Sequence, residues 1–151
     1  MGFDVHPFSD DPDRVMVLGG VRFDGPGLAG HSDADVISHA VADALLGAAG
    51  LGDIGMHFSD TDPRWAGADS LELLAAVVVA VAGAGFTVAN VDCSVVLEAP
   101  KLAPHREAMA ANLSAAVNAP VSVKAKRAEG LGAIGRGEGI ACWAVALVEQ
   151  G

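Results

Sequence analysis

The sequence predicts an α+β fold in which helices pack on one face of a mixed sheet. Three observations point to it. The 151 residues match one domain, spanning 1–151. Alternating apolar segments, which read as strands, are interspersed with three segments of helical periodicity rather than grouped apart from them. Fifty-two per cent of the residues are hydrophobic but only 5% are aromatic and none is Tyr, so the core is built from small side chains, chiefly Ala and Val. A mean hydropathy of +0.41 is high for a small soluble chain. It implies that some apolar surface, the uncovered sheet face first of all, is buried against other copies of the chain.

The elements follow in order. Gly2 to Phe8 is short and alternating. Val15 to Phe23 reads as a strand with a Gly-Gly bend, and Gly25 to Gly30 as a loop. Ser32 or Asp33 is placed to cap a helix running to about Leu46, with Val36, Ile37, Ala40, Val41, Ala44 and Leu45 on its inner side. Gly47 to Pro63 is rich in Gly and Asp and has the character of a functional loop. Ser70 can cap a helix from Leu71 to about Ala82, although Leu73 stands where a capping box needs Glu. Val88 to Leu97 alternates as a strand. Pro104 to Asn118 reads as a third helix, with Met109, Leu113 and Val117 on one side. Val121 to Ala125 is a short strand, Gly130 to Gly139 a glycine-rich loop, and Ile140 to Val148 the strand that closes the sheet.

Nine Lys and Arg against 19 Asp and Glu give a net charge of −10. That balance argues against a nucleic-acid partner, which requires a basic surface to displace counterions. Cys93 and Cys142 lie far apart and outside any CxxC pattern, so they read as small buried hydrophobes in a reducing compartment. The first residues carry an acid where a signal peptide is basic. The uncharged stretch from Leu73 past Val88 is broken by Gly83 and Gly85, well short of the roughly 20 residues of a membrane span. The expectation is a cytoplasmic protein with no membrane partner.

Three clusters carry candidate chemistry. Asp4 and His6 lie two apart on an extended segment and point to one face. His39 sits on the first helix, with Asp35 and Asp43 one turn away on either side. One carboxylate and two imidazoles can bind Zn²⁺ with a fourth position open, and Asp35 or Asp43 can take the second ring N–H of His39. The plainer reading is a chance pair and a helix histidine satisfied by the core. His31, Ser32 and Asp33 precede that helix and are followed by LGDIG (51–55) and SDTDP (59–63). Glycine amides and a helix N-terminus suit an anion, and Asp60 and Asp62 suit hydroxyls. An ordinary acidic loop with Asx turns fits the same residues. Lys124, Lys126, Arg127 and Arg136 concentrate positive charge beside glycines in an acidic chain, which suits phosphate, and Glu129 there suits a divalent ion bridging phosphates. The alternative is a solvated strand end.

As a set, GFDVHPF (2–8), HSDADVISHA (31–40), DALLGAAGLGDIG (43–55), FSDTDP (58–63), EAPKLAPH (98–105) and GRGEGIA (135–141) resemble the 2-C-methyl-D-erythritol 2,4-cyclodiphosphate synthase family, in order along nearly the whole chain. The resemblance implies a two-layer α/β sandwich assembled as a homotrimer, with active sites between subunits. It implies a phosphorus-oxygen lyase that cyclises 4-diphosphocytidyl-2-C-methyl-D-erythritol 2-phosphate and releases CMP, in the non-mevalonate isoprenoid pathway. Asp4, His6 and His39 would then be zinc ligands, and Asp4 and His6 would stand against the substrate as well. His31 and Ser32 would face the 2-phosphate side, with His31 stabilising the transition state. Asp53, Ile54 and Gly55, with Phe58, Ser59, Asp60, Thr61 and Asp62, would cradle the methylerythritol. Leu97 to Ala103, including Pro100, Lys101 and Leu102, would form the cytidine pocket. Glu129 would hold Mg²⁺ or Mn²⁺ on the phosphates, and Arg136 with Glu138 would sit near the trimer axis.

The chain departs from the family pattern in one segment. Lys126-Arg127-Ala128 stands where hydroxyl side chains usually contact the diphosphate, and Arg127 replaces a Thr that stabilises the transition state. Ala133 replaces a customary aromatic at the substrate site. Lys126 or Arg127 is expected to take over the diphosphate contact as a charge-assisted donor. The competing expectation is a catalytically altered, trimeric metal- and nucleotide-binding homologue.

Overall fold

The structure is a computed structural model that describes residues 1–151. Four strands form the main sheet: β1 (Gly2–Pro7), β4 (Phe86–Val96), β5 (Val121–Lys126) and β6 (Gly139–Gln150), in the order β1-β6-β4-β5. β4 and β5 run parallel and the other pairs antiparallel, so the sheet is mixed as expected. Three long helices supply the second layer: α1 (Val36–Ala48), α3 (Ser70–Gly83) and α4 (Arg106–Val117). Alternate residues of the strands face them. Val91, Cys93 and Val95 of β4, Ile140 and Cys142 of β6 and Val123 of β5 join the helices' Ile37, Leu45, Leu74, Met109 and Leu113 in one buried cluster. The helical inner side read from α1 holds: Val36, Ile37, Ala40, Val41, Ala44 and Leu45 are all buried.

The opposite sheet face has no helix over it. Phe3, Val5, Trp143, Val145 and Leu147 stand there 40–57% exposed, and the Phe3 and Trp143 rings meet at a centroid separation of 4.9 Å. Both cysteines are free and buried. The neighbouring Cys93 sulfur and burial together push the Cys142 thiol far above its usual range, so it stays protonated.

Several local expectations are corrected. Val15 to Phe23 is not one strand of the sheet. It is a separate hairpin of β2 (Met16–Leu18) and β3 (Val21–Phe23). Gly19 and Gly20 turn it with φ of 55° and 69°, the paired positive values that a two-residue hairpin turn requires. The α1 cap is Asp35, not Ser32 or Asp33. Its side chain accepts from the Ile37 and Ser38 amides, while Ser32 and Asp33 bond elsewhere. The α3 cap is likewise Asp69, which accepts from the Leu71 amide, and Ser70 is the helix's first residue. The segment 47–63 contains a short helix, α2 (Ile54–His57), and leads into a 3₁₀ turn at Pro63–Trp65. The segment 130–139 holds another short helix, α5 (Gly132–Gly135). A 3₁₀ turn at Ala103–His105 precedes α4, which ends as Asn118 adopts the left-handed conformation.

β1 lies close against α1. A Cβ on Gly2 would run into the Ala40 carbonyl and the Ala44 amide, so only glycine permits the approach. That contact sets the inward-facing Asp4 and His6 beside His39, one residue before Ala40 on the helix.

Candidate metal centre and substrate cavities

Asp4, His6 and His39 converge. Asp4 Oδ2 lies 2.9 Å from His6 Nε2 and 3.0 Å from His39 Nδ1, and those two nitrogens are 3.2 Å apart. The three offer one ligand atom each to a common point and form a half-buried group able to hold a metal ion. Donors of a tetrahedral ion at about 2.0–2.1 Å stand roughly 3.3 Å apart, so the separations and the donor types both fit. Electrostatics keep the group together. Burial works against ionised Asp4, but hydrogen bonds from His39 and His6 outweigh it and hold the carboxyl well below the usual range. Burial likewise works against charging His6, and the Asp4 carboxylate overcomes it and raises the imidazole.

The outer nitrogens of the two rings are also fixed. His6 Nδ1 donates to the Ala29 carbonyl at 2.7 Å, which leaves Nε2 directed at the shared point. His39 does not use Asp35 or Asp43, contrary to expectation. Asp35 is spent on the Gly19 and Gly20 amides and the start of α1. Asp43 accepts from the Ile54 amide at 2.8 Å. Burial pushes the Asp43 carboxyl up and the Ile54 amide draws it back. The second nitrogen of His39 instead meets Ser70 Oγ at 2.9 Å and Ser32 Oγ at 3.0 Å.

A cavity of about 310 Å³ opens beside the three donors. His31, Ser32, Ile54, Gly55, Phe58 and Asp60 line it, in agreement with the sequence reading, together with Trp65 and Leu73, which that reading missed. Trp65 packs edge-on against Phe58 at 5.1 Å between centroids. His31 Nε2 donates to the Asp62 carbonyl at 2.9 Å, and the Gly67 amide donates to the His31 carbonyl, so the 59–67 loop anchors this histidine.

The remaining residues of that loop face other partners. The Asp62 carboxylate is taken by Arg64, whose guanidinium holds it below the ordinary range. Asp53 caps α2, and Ser59 and Thr61 bond to each other at 2.8 Å.

A second cavity of about 410 Å³ is lined by Pro100, Lys101, Leu102, Ala103, Lys126 and Arg127, with Leu97, Glu98 and Ala125. Arg127 is mostly exposed and pairs with Glu98, Nη2 to Oε2 at 3.1 Å. Glu98 also accepts from the Gly130 amide at 3.4 Å, which ties the end of β4 to the turn after β5. Glu129 is exposed and belongs to no three-donor group. Ala133 and Arg136 line neither cavity, and Arg136 pairs with Glu138 at 2.6 Å. No helix is long and apolar enough to cross a membrane.

The chain is similar to curated proteins along nearly its whole length. It is 54% identical to a bifunctional enzyme IspD/IspF of Anaeromyxobacter sp. (strain Fw109-5), across 98% of this chain and 39% of that protein. It thus spans about two fifths of the length of the bifunctional relatives it matches. It is 56% identical to the 2-C-methyl-D-erythritol 2,4-cyclodiphosphate synthase of Burkholderia thailandensis, covering 97% of this chain and 92% of the relative. A CDP complex of IspF from Plasmodium falciparum superposes with a TM-score of 0.84 at 32% identity, over 99% of this chain and 93% of that one. The sequence model of the YgbB family matches residues 1–149, and with that match the resemblance carried by the six motifs becomes membership: the chain belongs to the YgbB family.

Proposed function

We propose that the chain converts 4-diphosphocytidyl-2-C-methyl-D-erythritol 2-phosphate to 2-C-methyl-D-erythritol 2,4-cyclodiphosphate with release of CMP, in the non-mevalonate isoprenoid pathway. One observation carries the reading. Asp4, His6 and His39 bring three donor atoms together at the rim of a cavity that His31, Ser32 and Asp60 also line. The 56% identity to a synthase of that name supports it.

In the proposed reaction an oxygen of the 2-phosphate bonds to the β-phosphorus of the diphosphate. The bond from that phosphorus to the oxygen bridging it to the α-phosphorus breaks, and CMP departs with the bridging oxygen and its electron pair. The nucleophile is already ionised, so the step requires no general base. Zn²⁺ held by Asp4, His6 and His39 supplies Lewis-acid polarisation of a phosphoryl oxygen when bound. His31 and Ser32 receive the 2-phosphate side, and the bond to the Asp62 carbonyl leaves His31 Nδ1 as the ring nitrogen free to face it. Asp60, with Ile54, Gly55 and Phe58 around it, accepts the methylerythritol hydroxyls. Lys101 and the Leu97–Ala103 segment take the cytidine. Glu129, which belongs to no group of three donors, would hold Mg²⁺ or Mn²⁺ together with the substrate phosphates.

The working unit is a homotrimer. Metal donors on β1 and basic residues on β5 occupy opposite edges of the sheet, about 14 Å apart across three strand spacings, and the two cavities have no lining residue in common. The exposed apolar face around Phe3, Trp143 and Val145 gives neighbouring copies a surface to meet on. Arg136 and Glu138 then lie near the trimer axis.

The test is CMP release from the diphosphocytidyl substrate, on material whose mass is read by light scattering. The expected result is a trimer that releases CMP, stops with chelator and resumes with zinc. Binding without release assigns the chain to the altered, non-catalytic alternative, and linear monophosphate products contradict the cyclisation.

Arg127 tests the altered segment. As the diphosphate donor it must exchange Glu98 for substrate phosphate. Arg127→Ala is expected to lower kcat/KM about tenfold, near the lower end of what one charge-assisted hydrogen bond contributes. Unchanged kcat and KM remove Arg127 from the site.

A further inference from the structure

The outer nitrogen of His39 ends on a buried relay through Ser70, which no motif of the site includes. Ser70 Oγ, 1% exposed, lies 2.9 Å from His39 Nε2 and donates its own proton to Asp33 Oδ1. Asp33 Oδ2 also accepts from the Ser70 amide at 3.2 Å, so one carboxylate holds Ser70 at two points. A hydroxyl has one proton to give. Because Asp33 receives it, Ser70 can only accept from His39. The imidazole must then carry a proton on Nε2, so that in its neutral form, the form that binds a metal, the lone pair is on Nδ1 and faces Asp4 and His6.

Ser32 adds little to that choice. Its Oγ is 3.0 Å from the same nitrogen and 3.4 Å from Ser70 Oγ, accepts from the Ala34 amide and touches no carboxylate, so its proton can turn to Ser70 or to solvent.

We propose that Ser70 and Asp33 are positioning residues, which together fix the tautomer and ring orientation of His39 for metal binding. The inference rests on the reading of Asp4, His6 and His39 as metal ligands. The two histidines present opposite nitrogens inward, and each needs its outer nitrogen held. A backbone carbonyl does this for His6, and a carboxylate acting through a serine does it for His39. The relay also joins three parts of the chain: the turn before α1, α1 itself and the first residue of α3.

The test measures zinc affinity of the full chain by competition with a chromogenic chelator. It compares the parent chain with Ser70→Ala, Asp33→Ala, the double variant and Ser32→Ala, and follows melting of the metal-free forms alongside. Ser70→Ala is expected to weaken zinc binding about tenfold, the lower end of the 10–100-fold range for such outer partners. Asp33→Ala should also weaken it, because the freed Ser70 proton can then turn towards His39 and favour the wrong tautomer. The double variant should be within about twofold of Ser70→Ala, and Ser32→Ala should lose less than Ser70→Ala. In nuclear magnetic resonance spectra of the zinc-bound protein, the His39 Hε2 proton should move upfield in Ser70→Ala, a change that a purely structural role would not produce. Affinity within twofold of the parent in Ser70→Ala overturns the proposal. So does an affinity loss that follows loss of the metal-free fold while the Hε2 signal stays in place. A parent chain that binds no zinc overturns instead the metal reading beneath it.

Discussion

Asp35→Ala is expected to lower folding stability by about 3–5 kcal/mol, the largest effect of any single truncation outside the apolar core. The carboxylate is fully buried and accepts five hydrogen bonds. Oδ1 takes the amides of Gly19 (2.9 Å), Ile37 (3.1 Å) and Ser38 (3.2 Å). Oδ2 takes the Gly20 amide (2.8 Å) and the Ser38 hydroxyl (2.9 Å). Truncation leaves the buried Gly19 amide without a partner, at about 1–3 kcal/mol, strips the half-buried Gly20 amide at a smaller cost, and removes the α1 cap, at about 1 kcal/mol more. Burial pushes the Asp35 carboxyl up and its donors pull it back, so the site depends on keeping all of them. Asn is not expected to rescue it, because every partner is a donor and an amide NH₂ would turn hydrogens towards one of them. Denaturant unfolding reads the loss directly, and the melting temperature should fall by on the order of 10 °C. A loss below about 1 kcal/mol would show that the hairpin and α1 are held mainly by packing.

Asp4→Asn is expected to remove metal-dependent CMP release by about a thousandfold or more while leaving the fold in place. The substitution preserves side-chain size on β1 but replaces an anionic donor with a weakly ligating amide. It also withdraws the negative charge against which both imidazoles rest at 2.9 and 3.0 Å. Zinc affinity, metal-free melting temperature and CMP release measured together separate the effects. Metal and turnover should be lost together, with the melting temperature changed by only a few degrees. Retained turnover in a zinc-free Asp4→Asn preparation would contradict a role for the centre in the reaction.

The donors of the metal group were legible because both of their signals are local, while their meeting was implied only by the family resemblance. An Asp-x-His on an extended segment puts two donors on one side, and His39 lies in a helix whose apolar pattern fixes its orientation. The sheet and three long helices were legible for the same reason. What could not be read depends on contacts between distant segments. Ser32, Asp33 and Asp35 are all good cap residues within four positions, and the choice fell to Asp35 because the Gly19 and Gly20 amides, some fifteen residues earlier, end on it. Ser70 looked like a cap because it precedes an apolar run. It faces His39 only because Asp69 performs the capping and Asp33 fixes the hydroxyl. The Gly-Gly bend was visible, but nothing near it indicates that the strands on either side leave the sheet. Trp65 had no periodic pattern to mark it, since it stands in a 3₁₀ turn. The pairing of Arg127 with Glu98 joins the ends of two parallel strands, which spacing alone does not bring together.

The pleat of β1 assigns its neighbouring residues to two different tasks. Asp4 and His6 point towards α1, while Phe3 and Val5, alternating with them, point to the bare side of the sheet, where Phe3 meets Trp143. The candidate metal donors and the exposed apolar surface therefore share one short segment, interleaved one residue at a time. A deletion or insertion of one residue there would exchange the two sides, setting carboxylate and imidazole on the bare face and phenylalanine in the cavity. Substitutions can alter either side alone, but a change in length cannot, so the strand carries a reading frame in space as strict as one in a gene.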